Sequence, residues 1–339
     1  MSDPGPTDRQ KTRYAACCDI GGTKVALALV DSKGSILARD RYLLGSRRDP
    51  EHLVQEMATH LAGLSARHGY AWERCVGIGC SAAVMADVEQ GLVLTSFNIF
   101  GTDRDVPLRD MLAVATNRPT VIEMDAAAAC QGEAWRGAGA GVDEFLYVVV
   151  GTGIGAGILH AGSIHRGFHG TAGELGHITI VPDGPSCTCG LRGCLEALAS
   201  GPAIAERAQG AITQGRATQM AAMAGEGNVS TPMVFQAARQ GDAVALQVVD
   251  DTARYLAIGL IAAIHLLSPE TIALGGGVMQ GGGDLLLSRI RTMVRQRLGG
   301  WVRADELRIV PAQLGDDANL LGVARLVWNT THTRSLAAI

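Results

Sequence analysis

The stretch Cys17-Cys18-Asp19-Ile20-Gly21-Gly22-Thr23-Lys24 decides the fold. It is an apolar, strand-like run that ends in two glycines, and the apolar pattern resumes over residues 25–30. A strand, a glycine turn and a second strand form a β-hairpin. The spacing fits neither a P-loop nor a dinucleotide-binding fingerprint, because both motifs need a helix directly after the glycines.

A second copy of this pattern lies about 130 residues further on, as Val150-Gly151-Thr152-Gly153-Ile154-Gly155. A third glycine group, Gly275-Gly276-Gly277, also follows an apolar run. Tight hairpins that need residues at positive φ are one explanation of the first two groups. Because one copy lies in each half of the chain, the pattern also indicates a two-lobed nucleotide site whose turn amides face phosphates.

Composition restricts the class of protein. The chain has 339 residues, 47% of them hydrophobic, and a formal net charge of -4. Such a length predicts about two domains, and the charge provides no positive field for a nucleic acid. The longest apolar run, 255–267, is shorter than the roughly 20 residues of a membrane span, and residues 1–13 do not resemble a secretory signal. We therefore expect a soluble, cytoplasmic protein that binds neither nucleic acid nor membrane.

The two hairpin sequences resemble the phosphate-binding loops of the ROK family of sugar kinases and repressors, within the wider actin and hexokinase fold. The resemblance runs from about residue 14 to residue 328. It implies an α/β fold of two ribonuclease-H-like (actin-like ATPase) lobes with a cleft between them. Repressors of the family carry an N-terminal helix-turn-helix domain, for which the 18 residues before Asp19 are too few, so we expect a kinase.

The resemblance also predicts the domain organisation. We expect a small lobe of residues 14–125 plus 317–339, because the tail resembles a helix that crosses back to the first lobe. The larger lobe would comprise residues 126–316 and carry a zinc loop at 177–196. A homodimer is expected from the resemblance alone.

Three of the eight cysteines differ from the rest. Cys187, Cys189 and Cys194 lie in a loop rich in glycine and proline downstream of His177, whereas the other five lie in apolar runs. Three thiolates and an imidazole make a closed tetrahedral set, which predicts a structural rather than a catalytic Zn²⁺. A disulfide is the alternative, but three cysteines cannot pair evenly.

The same region matches the most specific signature of the family. The matching stretches are Glu174-Leu175-Gly176-His177 and the ten residues from Cys187 to Glu196. The resemblance assigns Glu174, His177 and Glu196 to the sugar, with exposed surface charge as the alternative for the two carboxylates. Asn98 matches the asparagine of the family's sugar loop, although the proline and tryptophan of that loop are missing here.

Asp125 is the candidate catalytic base. It follows the strand-like run 120–124 and precedes an alanine-rich helix, so by pattern alone it is either a functional residue or a helix N-cap. The family's catalytic aspartate lies in Asn-Asp-Ala-Asn-Ala-Ala, and Asp125 matches it. Met124 and Ala127 replace the two asparagines. Met124 cannot pair with a sugar hydroxyl, a loss of roughly 1–3 kcal/mol if that hydroxyl is buried.

The resemblance implies ATP and Mg²⁺ as cofactors. Asp19 would hold Mg²⁺ through water, and the hydroxyls of Thr23 and Thr152 would reach phosphate oxygens. Lys24 is either a phosphate ligand or a solvent-facing lysine. The full set predicted to bind nucleotide is Asp19, Gly21, Gly22, Thr23, Lys24, Gly151, Thr152, Gly153, Gly275, Gly276 and Gly277.

These observations predict an ATP-dependent kinase for a primary hydroxyl, the 6-hydroxyl of a hexose such as glucose or of a modified sugar such as kanosamine or N-acetylmannosamine. A kinase for a seven-carbon cyclitol is an alternative. A sugar-sensing protein that has lost catalysis is another, because Met124 and Ala127 depart from the family pattern.

Overall fold

The structure is a computed structural model that describes residues 6–94, 97–102, 105–299 and 305–336; at residues 6, 7, 97, 98 and 332–336 it describes the backbone alone. In chain order its helices and strands are α1 (Pro6–Lys11), β1 (Tyr14–Ile20), β2 (Lys24–Val30), β3 (Ile36–Leu43), α2 (Pro50–Arg67), β4 (Cys75–Ala82), β5 (Met85–Asp87), β6 (Leu92–Leu94), α3 (Phe97–Phe100), α4 (Leu108–Thr116), β7 (Thr120–Met124), α5 (Asp125–Arg136), β8 (Phe145–Val150), β9 (Ile154–His160), β10 (Ser163–Ile164), α6 (Leu195–Ala199), α7 (Gly201–Thr213), α8 (Gln219–Ala224), α9 (Thr231–Arg239), α10 (Ala243–Leu267), β11 (Thr271–Gly275), α11 (Gly277–Leu298), β12 (Arg308–Pro311) and α12 (Ala318–Leu336).

The chain divides into two units. The first unit contains the residues up to Gly141, the segment Ile164–Ala172, and the residues from Asp316 onward. The second contains Val142–Ser163 and Gly173–Gly315.

The first unit is built on a five-stranded sheet with the order β3-β2-β1-β4-β7. β1 pairs antiparallel with β2 and parallel with β4, and β4 pairs parallel with β7. Six of the seven residues of β1 are buried because the strand is central in the sheet. Asp19 is the half-buried exception, one residue before the end of the strand.

The second unit repeats this plan with the order β10-β9-β8-β11-β12. β8 pairs antiparallel with β9 and parallel with β11, which pairs parallel with β12. In each unit the first glycine-containing turn joins the first two strands of the sheet. The predicted α/β fold with two ribonuclease-H-like lobes is therefore confirmed in its strand order and pairing, and so are both hairpins.

The boundary between the units differs from the expected one. Residues 126–141 and 164–172 belong to the first unit rather than the second. Residues 126–136 do so because α5 packs against α12 with the two backbones in close approach. A Cβ atom at Gly132 would lie 2.1 Å from the carbonyl oxygen of Ala318, and one at Gly322 would lie 1.8 Å from that of Ala128. Glycine at both positions lets the helices approach this closely, and that packing places α5 with the C-terminal helix.

The apolar run 255–267 forms the second half of α10, a 25-residue helix whose inner face lies in the core of the second unit. Within the described residues, no helix combines the length and the apolar character that crossing a bilayer requires.

Candidate active site

The first glycine hairpin leaves its outer surface open. The turn is closed by a hydrogen bond from the Gly21 amide to the Lys24 carbonyl, 3.0 Å, and the Thr23 carbonyl accepts one from the Leu44 amide, 2.9 Å. Neither glycine has a positive φ, so the conformational explanation for them does not hold. A Cβ atom at Gly22 would meet no protein atom within 4 Å. The absence of a side chain there leaves space for a ligand to approach the backbone.

Asp19 lies at the base of this turn. Its Oδ1 accepts a hydrogen bond of 2.9 Å from Nδ2 of Asn319, at the start of α12. Burial raises the pKa of the Asp19 carboxyl, and the hydrogen bond from Asn319 opposes that rise. A partly desolvated carboxylate beside a phosphate-binding turn suits a Mg²⁺ site. Sequence analysis missed Asn319, because the two residues are 300 positions apart.

The raised pKa of Asp19 has a consequence for stability. The stabilisation gained by protonating the carboxyl is fully present below the ordinary aspartate value of 3.8 and is lost as the pH rises through the raised pKa. At neutral pH the fold therefore bears the cost of a buried charge. We expect Asp19→Asn to raise the Tm of the metal-free protein at pH 7 while it lowers phosphotransfer by orders of magnitude.

Thermal unfolding of the metal-free proteins at pH 5 and pH 7, alongside an activity assay, tests this. Asp40→Asn is the control: the ion pair of Asp40 with Arg67 is largely exposed, so the substitution should leave activity unchanged and change the Tm little. A variant at Asp19 that is less stable than the wild type at pH 7 would contradict the electrostatic account.

Lys24 begins β2, and its Nζ lies 3.7 Å from Oδ2 of Asp316. Both side chains are largely exposed. The ion pair turns the lysine toward a carboxylate of its own unit, which favours the solvent-facing interpretation of Lys24 over a direct phosphate contact.

Asp125 is the first residue of α5, directly after the edge strand β7. The N-cap position is occupied by Met124, which makes no side-chain cap, and Asp125 Oδ1 accepts from the amide of Ala126 at 2.7 Å. Asp125 is therefore not the N-cap residue itself, although its carboxylate bonds an amide of the first helical turn. A half-buried carboxylate at the carboxyl end of a sheet strand is well placed to accept a proton from a bound hydroxyl. Met124 packs into the apolar core of the first unit.

A buried ion pair lies two residues before Asp125. The Glu123 side chain is 0% exposed and receives two hydrogen bonds from the Arg166 guanidinium, one of them at 3.1 Å. Its second oxygen accepts from the Met124 amide. Arg166 belongs to Ile164–Ala172, the short segment that packs with the first unit although its neighbours in sequence belong to the second. The pair thus fixes this segment to β7, and no sequence motif indicated it.

Loss of Arg166 should therefore be costly. Arg166→Ala leaves the Glu123 carboxylate buried without a cation, and we expect a loss of about 2–4 kcal/mol in the free energy of unfolding, less than for a fully enclosed pair because Arg166 is 31% exposed. Urea unfolding of the wild type and the variant measures this loss in the free energy of unfolding. The exposed pair Arg239 and Asp284 supplies the control, since Arg239→Ala should cost less than about 1 kcal/mol. Adding Glu123→Gln to Arg166→Ala should restore part of the loss, and a double variant less stable than Arg166→Ala would contradict this.

In the second unit, the other glycine hairpin is held by hydrogen bonds with α6 and α7. The Gly201 amide, at the start of α7, donates to the Gly151 carbonyl at 2.8 Å. Glu196 Oε2 accepts from the Ile154 amide at 2.9 Å and lies 2.5 Å from where a Cβ of residue 153 would be. A side chain at residue 153 would thus displace the Glu196 carboxylate, whereas a Cβ at Gly151 would meet no protein atom within 4 Å. As in the first hairpin, contacts within the protein do not explain why one of the two positions is glycine.

Glu196 was predicted as a sugar ligand. In the structure one of its oxygens accepts a hydrogen bond from the glycine hairpin, and the other lies 3.5 Å from Oγ1 of Thr188 in the cysteine loop. Glu196 therefore connects the cysteine loop to the hairpin, a role that sequence reasoning did not identify.

The third glycine group ends β11 and opens α11, so its amides lie at the N-terminus of a 22-residue helix. Gly276 has φ +86°, and a Cβ there would lie 2.4 Å from the Val150 carbonyl oxygen. Glycine is needed at this position for conformation and for close approach to the end of β8.

The cysteine loop brings its four predicted ligands together. The ligand atoms of His177, Cys187, Cys189 and Cys194 all lie within 4.8 Å of one another, and the three cysteines are free thiols. The Sγ atoms of Cys189 and Cys194 are 3.7 Å apart, and Nδ1 of His177 is 3.6 Å from Sγ of Cys187. Zinc bonds of about 2.3 Å to sulfur and 2.0–2.1 Å to nitrogen give tetrahedral edges of about 3.8 and 3.6 Å. The residues therefore fit Zn²⁺.

The electrostatics of the thiols differ. Burial raises the pKa of the Cys194 thiol to about 12, whereas a hydrogen bond from the Leu191 backbone lowers the pKa of Cys189. A cation in the centre of the group would hold all of them as thiolates.

The two ring nitrogens of His177 face different groups. Nδ1 faces the thiols, and Nε2 lies 3.8 Å from Oε2 of Glu174. This distance is longer than a hydrogen bond, but it places a carboxylate beside the second ring nitrogen of the candidate metal ligand. The predicted role of Glu174 and His177 in binding the sugar stays a prediction. Asn98 lies in the short helix α3, and its side chain is outside the described residues.

Comparison with known proteins agrees with this geometry. Residues 15–330 match the ROK family. The chain belongs to the ROK family. A glucokinase of Halalkalibacterium halodurans is 35% identical over 317 residues, covering 93% of this chain and 95% of that protein. The ROK hexokinase of Thermus thermophilus superposes with a TM-score of 0.81 at 32% identity, covering 94% of this chain and 99% of the other.

A further ROK structure is the Streptomyces griseus glucokinase in complex with glucose and AMPPNP, with a TM-score of 0.76, 35% identity, and coverage of 92% of this chain and 98% of the other. The ROK relatives also include the xylose repressor of Bacillus subtilis, 27% identical, of which this chain covers 78%. The predicted family and the predicted class of enzyme, an ATP-dependent sugar kinase, are confirmed. The roles of single residues stay predictions.

Proposed function

We propose that this ROK protein transfers the γ-phosphoryl group of ATP to the primary hydroxyl of a hexose such as glucose, or of a modified hexose. The observation that carries the proposal is the open glycine in each hairpin. Neither Gly22 nor Gly151 has a positive φ, and a Cβ atom at either would meet no protein atom within 4 Å. Space at a turn amide is what a phosphate group needs. The S. griseus relative, crystallised with glucose and AMPPNP, supports the choice of ligands.

The residues of the first unit would carry the chemistry. The carboxylate of Asp125 would accept the proton of the attacking hydroxyl, and the turn amides of Gly22 and Thr23 would orient the phosphates. Asp19 would hold Mg²⁺, which neutralises phosphate charge when it is bound. In the second unit, the three thiolates and Nδ1 of His177 would hold Zn²⁺, which would stabilise the loop that presents Glu174 and His177.

The acceptor is the part of the proposal that an assay must decide. Release of ADP should be followed with glucose, kanosamine, N-acetylmannosamine and a seven-carbon cyclitol at equal concentrations. We expect a hexose to stimulate ATP turnover most strongly. If only the cyclitol stimulates ATP turnover, the acceptor is a cyclitol and not a hexose. If no polyol raises ADP release above the rate with water alone, the kinase assignment is wrong.

A sugar-sensing protein without catalysis is the second candidate. It is favoured by one observation: Met124 is buried in the apolar core and the side chain of Ala127 has no polar atom, so neither side chain offers the hydrogen bond of the family's asparagines. This alternative predicts that sugar binds in calorimetry while ATP is not consumed, and that Asp125→Asn changes nothing. The expected homodimer and cytoplasmic location stay predictions.

A further inference from the structure

Arg48 lies beside the first glycine hairpin, in the segment between β3 and α2. Its Nη2 donates a hydrogen bond of 3.2 Å to the carbonyl oxygen of Gly22. Gly22 is the open glycine of the turn, so the guanidinium lies within hydrogen-bonding distance of a residue whose amide the proposed function assigns to phosphate.

A second nitrogen of the Arg48 guanidinium lacks an acceptor. Nη1 is shielded from solvent and has no hydrogen-bond partner, and no ion pair joins Arg48 to a carboxylate anywhere in the described residues. The neighbouring cations are already paired, Arg47 with Asp49 and Lys24 with Asp316. Enclosing a charged donor without an acceptor costs free energy. An unpaired guanidinium nitrogen beside a phosphate turn therefore indicates an anion as the missing partner.

The stem of Arg48 is fixed on its other side. Gly101, which follows α3, has φ +60°, and a Cβ there would lie 3.0 Å from Cβ of Arg48. The backbone after α3 thus packs directly on the arginine. α3 carries Asn98, the predicted sugar contact, so Arg48 lies between the phosphate turn and the sugar segment of its own unit.

We propose that Arg48 is a catalytic residue that binds the γ-phosphoryl group of ATP and stabilises its charge during transfer. The inference rests on the proposed function. In that step the acceptor oxygen forms a bond to the γ-phosphorus while the bond from that phosphorus to the β,γ-bridging oxygen breaks. The electron pair of the broken bond leaves with ADP, and the hydroxyl proton passes to Asp125. Negative charge spreads over the three transferring oxygens, where a fixed guanidinium stabilises it.

Arg48→Met tests the proposal because it keeps most of the apolar stem and removes the charge. We expect kcat to fall about 10²–10³-fold, with a much smaller change in KM for the sugar. Arg47→Met is the matched control: it alters the adjacent arginine, which is 69% exposed and paired with Asp49, and it should leave kcat within about twofold of the wild type.

Two binding measurements separate a phosphate contact from a structural role. Arg48→Met should weaken AMPPNP by about tenfold or more and ADP by less than about threefold, because ADP lacks the group that Arg48 binds. Guanidinium ion added to Arg48→Ala at non-denaturing concentration should restore part of kcat. Equal weakening of both nucleotides together with a lowered Tm, or an unchanged kcat, would overturn the proposal.

The failure of the proposed function gives a different result. If the wild type transfers phosphate to none of the sugars, the kinase assignment fails. The ratio of AMPPNP to ADP affinity still shows whether Arg48 binds the terminal phosphate: a ratio altered only in Arg48→Met supports the contact, and an unaltered ratio contradicts it.

Discussion

Asp125→Asn is expected to lower kcat by about 10²–10⁴-fold, the usual contribution of a general base. The side chain is isosteric, and asparagine retains an oxygen that can accept from the Ala126 amide, so α5 should still begin at the same residue. What is lost is the ability to take the hydroxyl proton as the bond to phosphorus forms. Because the predicted phosphate contacts come from other residues, KM for ATP should change little.

Steady-state kinetics with both substrates varied, together with AMPPNP binding, measures this. Asp110→Asn is the matched control, since Asp110 is also in the first turn of a helix, α4, and its side chain is exposed. It should keep kcat near the wild-type value. An Asp125→Asn variant with more than about a tenth of wild-type kcat would remove Asp125 from catalysis. The sugar-sensing alternative instead predicts no ATP turnover in either protein.

Loss of the zinc site is expected to have the second large effect. Freshly purified protein should contain one zinc ion per chain, and Cys189→Ser should reduce that stoichiometry and lower the Tm. Structural zinc contributes about 10–16 kcal/mol to the folding of zinc-finger peptides, so the loop is expected to unfold locally when one thiolate is removed. His177 belongs to the cluster, and Glu196 follows Cys194 by two residues, so affinity for sugar should fall more than affinity for nucleotide.

Elemental analysis, thermal unfolding and separate titrations of sugar and AMPPNP test this prediction. Cys17→Ala is the control: Cys17 is buried in β1, distant in sequence from the loop, and its loss should leave the zinc content at one. Protein that contains no zinc when freshly purified, or a Cys189→Ser variant with an unchanged zinc content, would rule out the site.

Much of the candidate site follows from short-range sequence patterns. The two hairpins are marked by glycine turns between apolar strands. Asp125 is marked by its place between a strand-like run and a helix-like run. The cysteine loop could be predicted because three closely spaced thiols and a histidine have few other uses. In each case the residues that form the feature lie within about 20 positions of one another, so their spacing is enough to indicate the feature.

The residues that sequence reasoning missed act over long separations. Asn319 reaches Asp19 from the last helix, and Arg166 reaches Glu123 from a segment whose neighbours belong to the other unit. Arg48 contacts Gly22 although two strands, β2 and β3, lie between them in the chain. No local pattern marks these side chains, because an asparagine or arginine in a polar stretch is ordinarily solvated.

The sequence by itself determined the family, the α/β lobes, the glycine hairpins and the donor set for zinc, because backbone geometry and metal chemistry restrict which residues can occupy such positions. Tertiary structure decided the rest. It placed α5 with α12 through glycine contacts, used Glu196 to join the cysteine loop to a hairpin, and left one guanidinium nitrogen of Arg48 without a partner beside the first turn. Those outcomes depend on which groups are desolvated together, and that is settled only when distant segments pack.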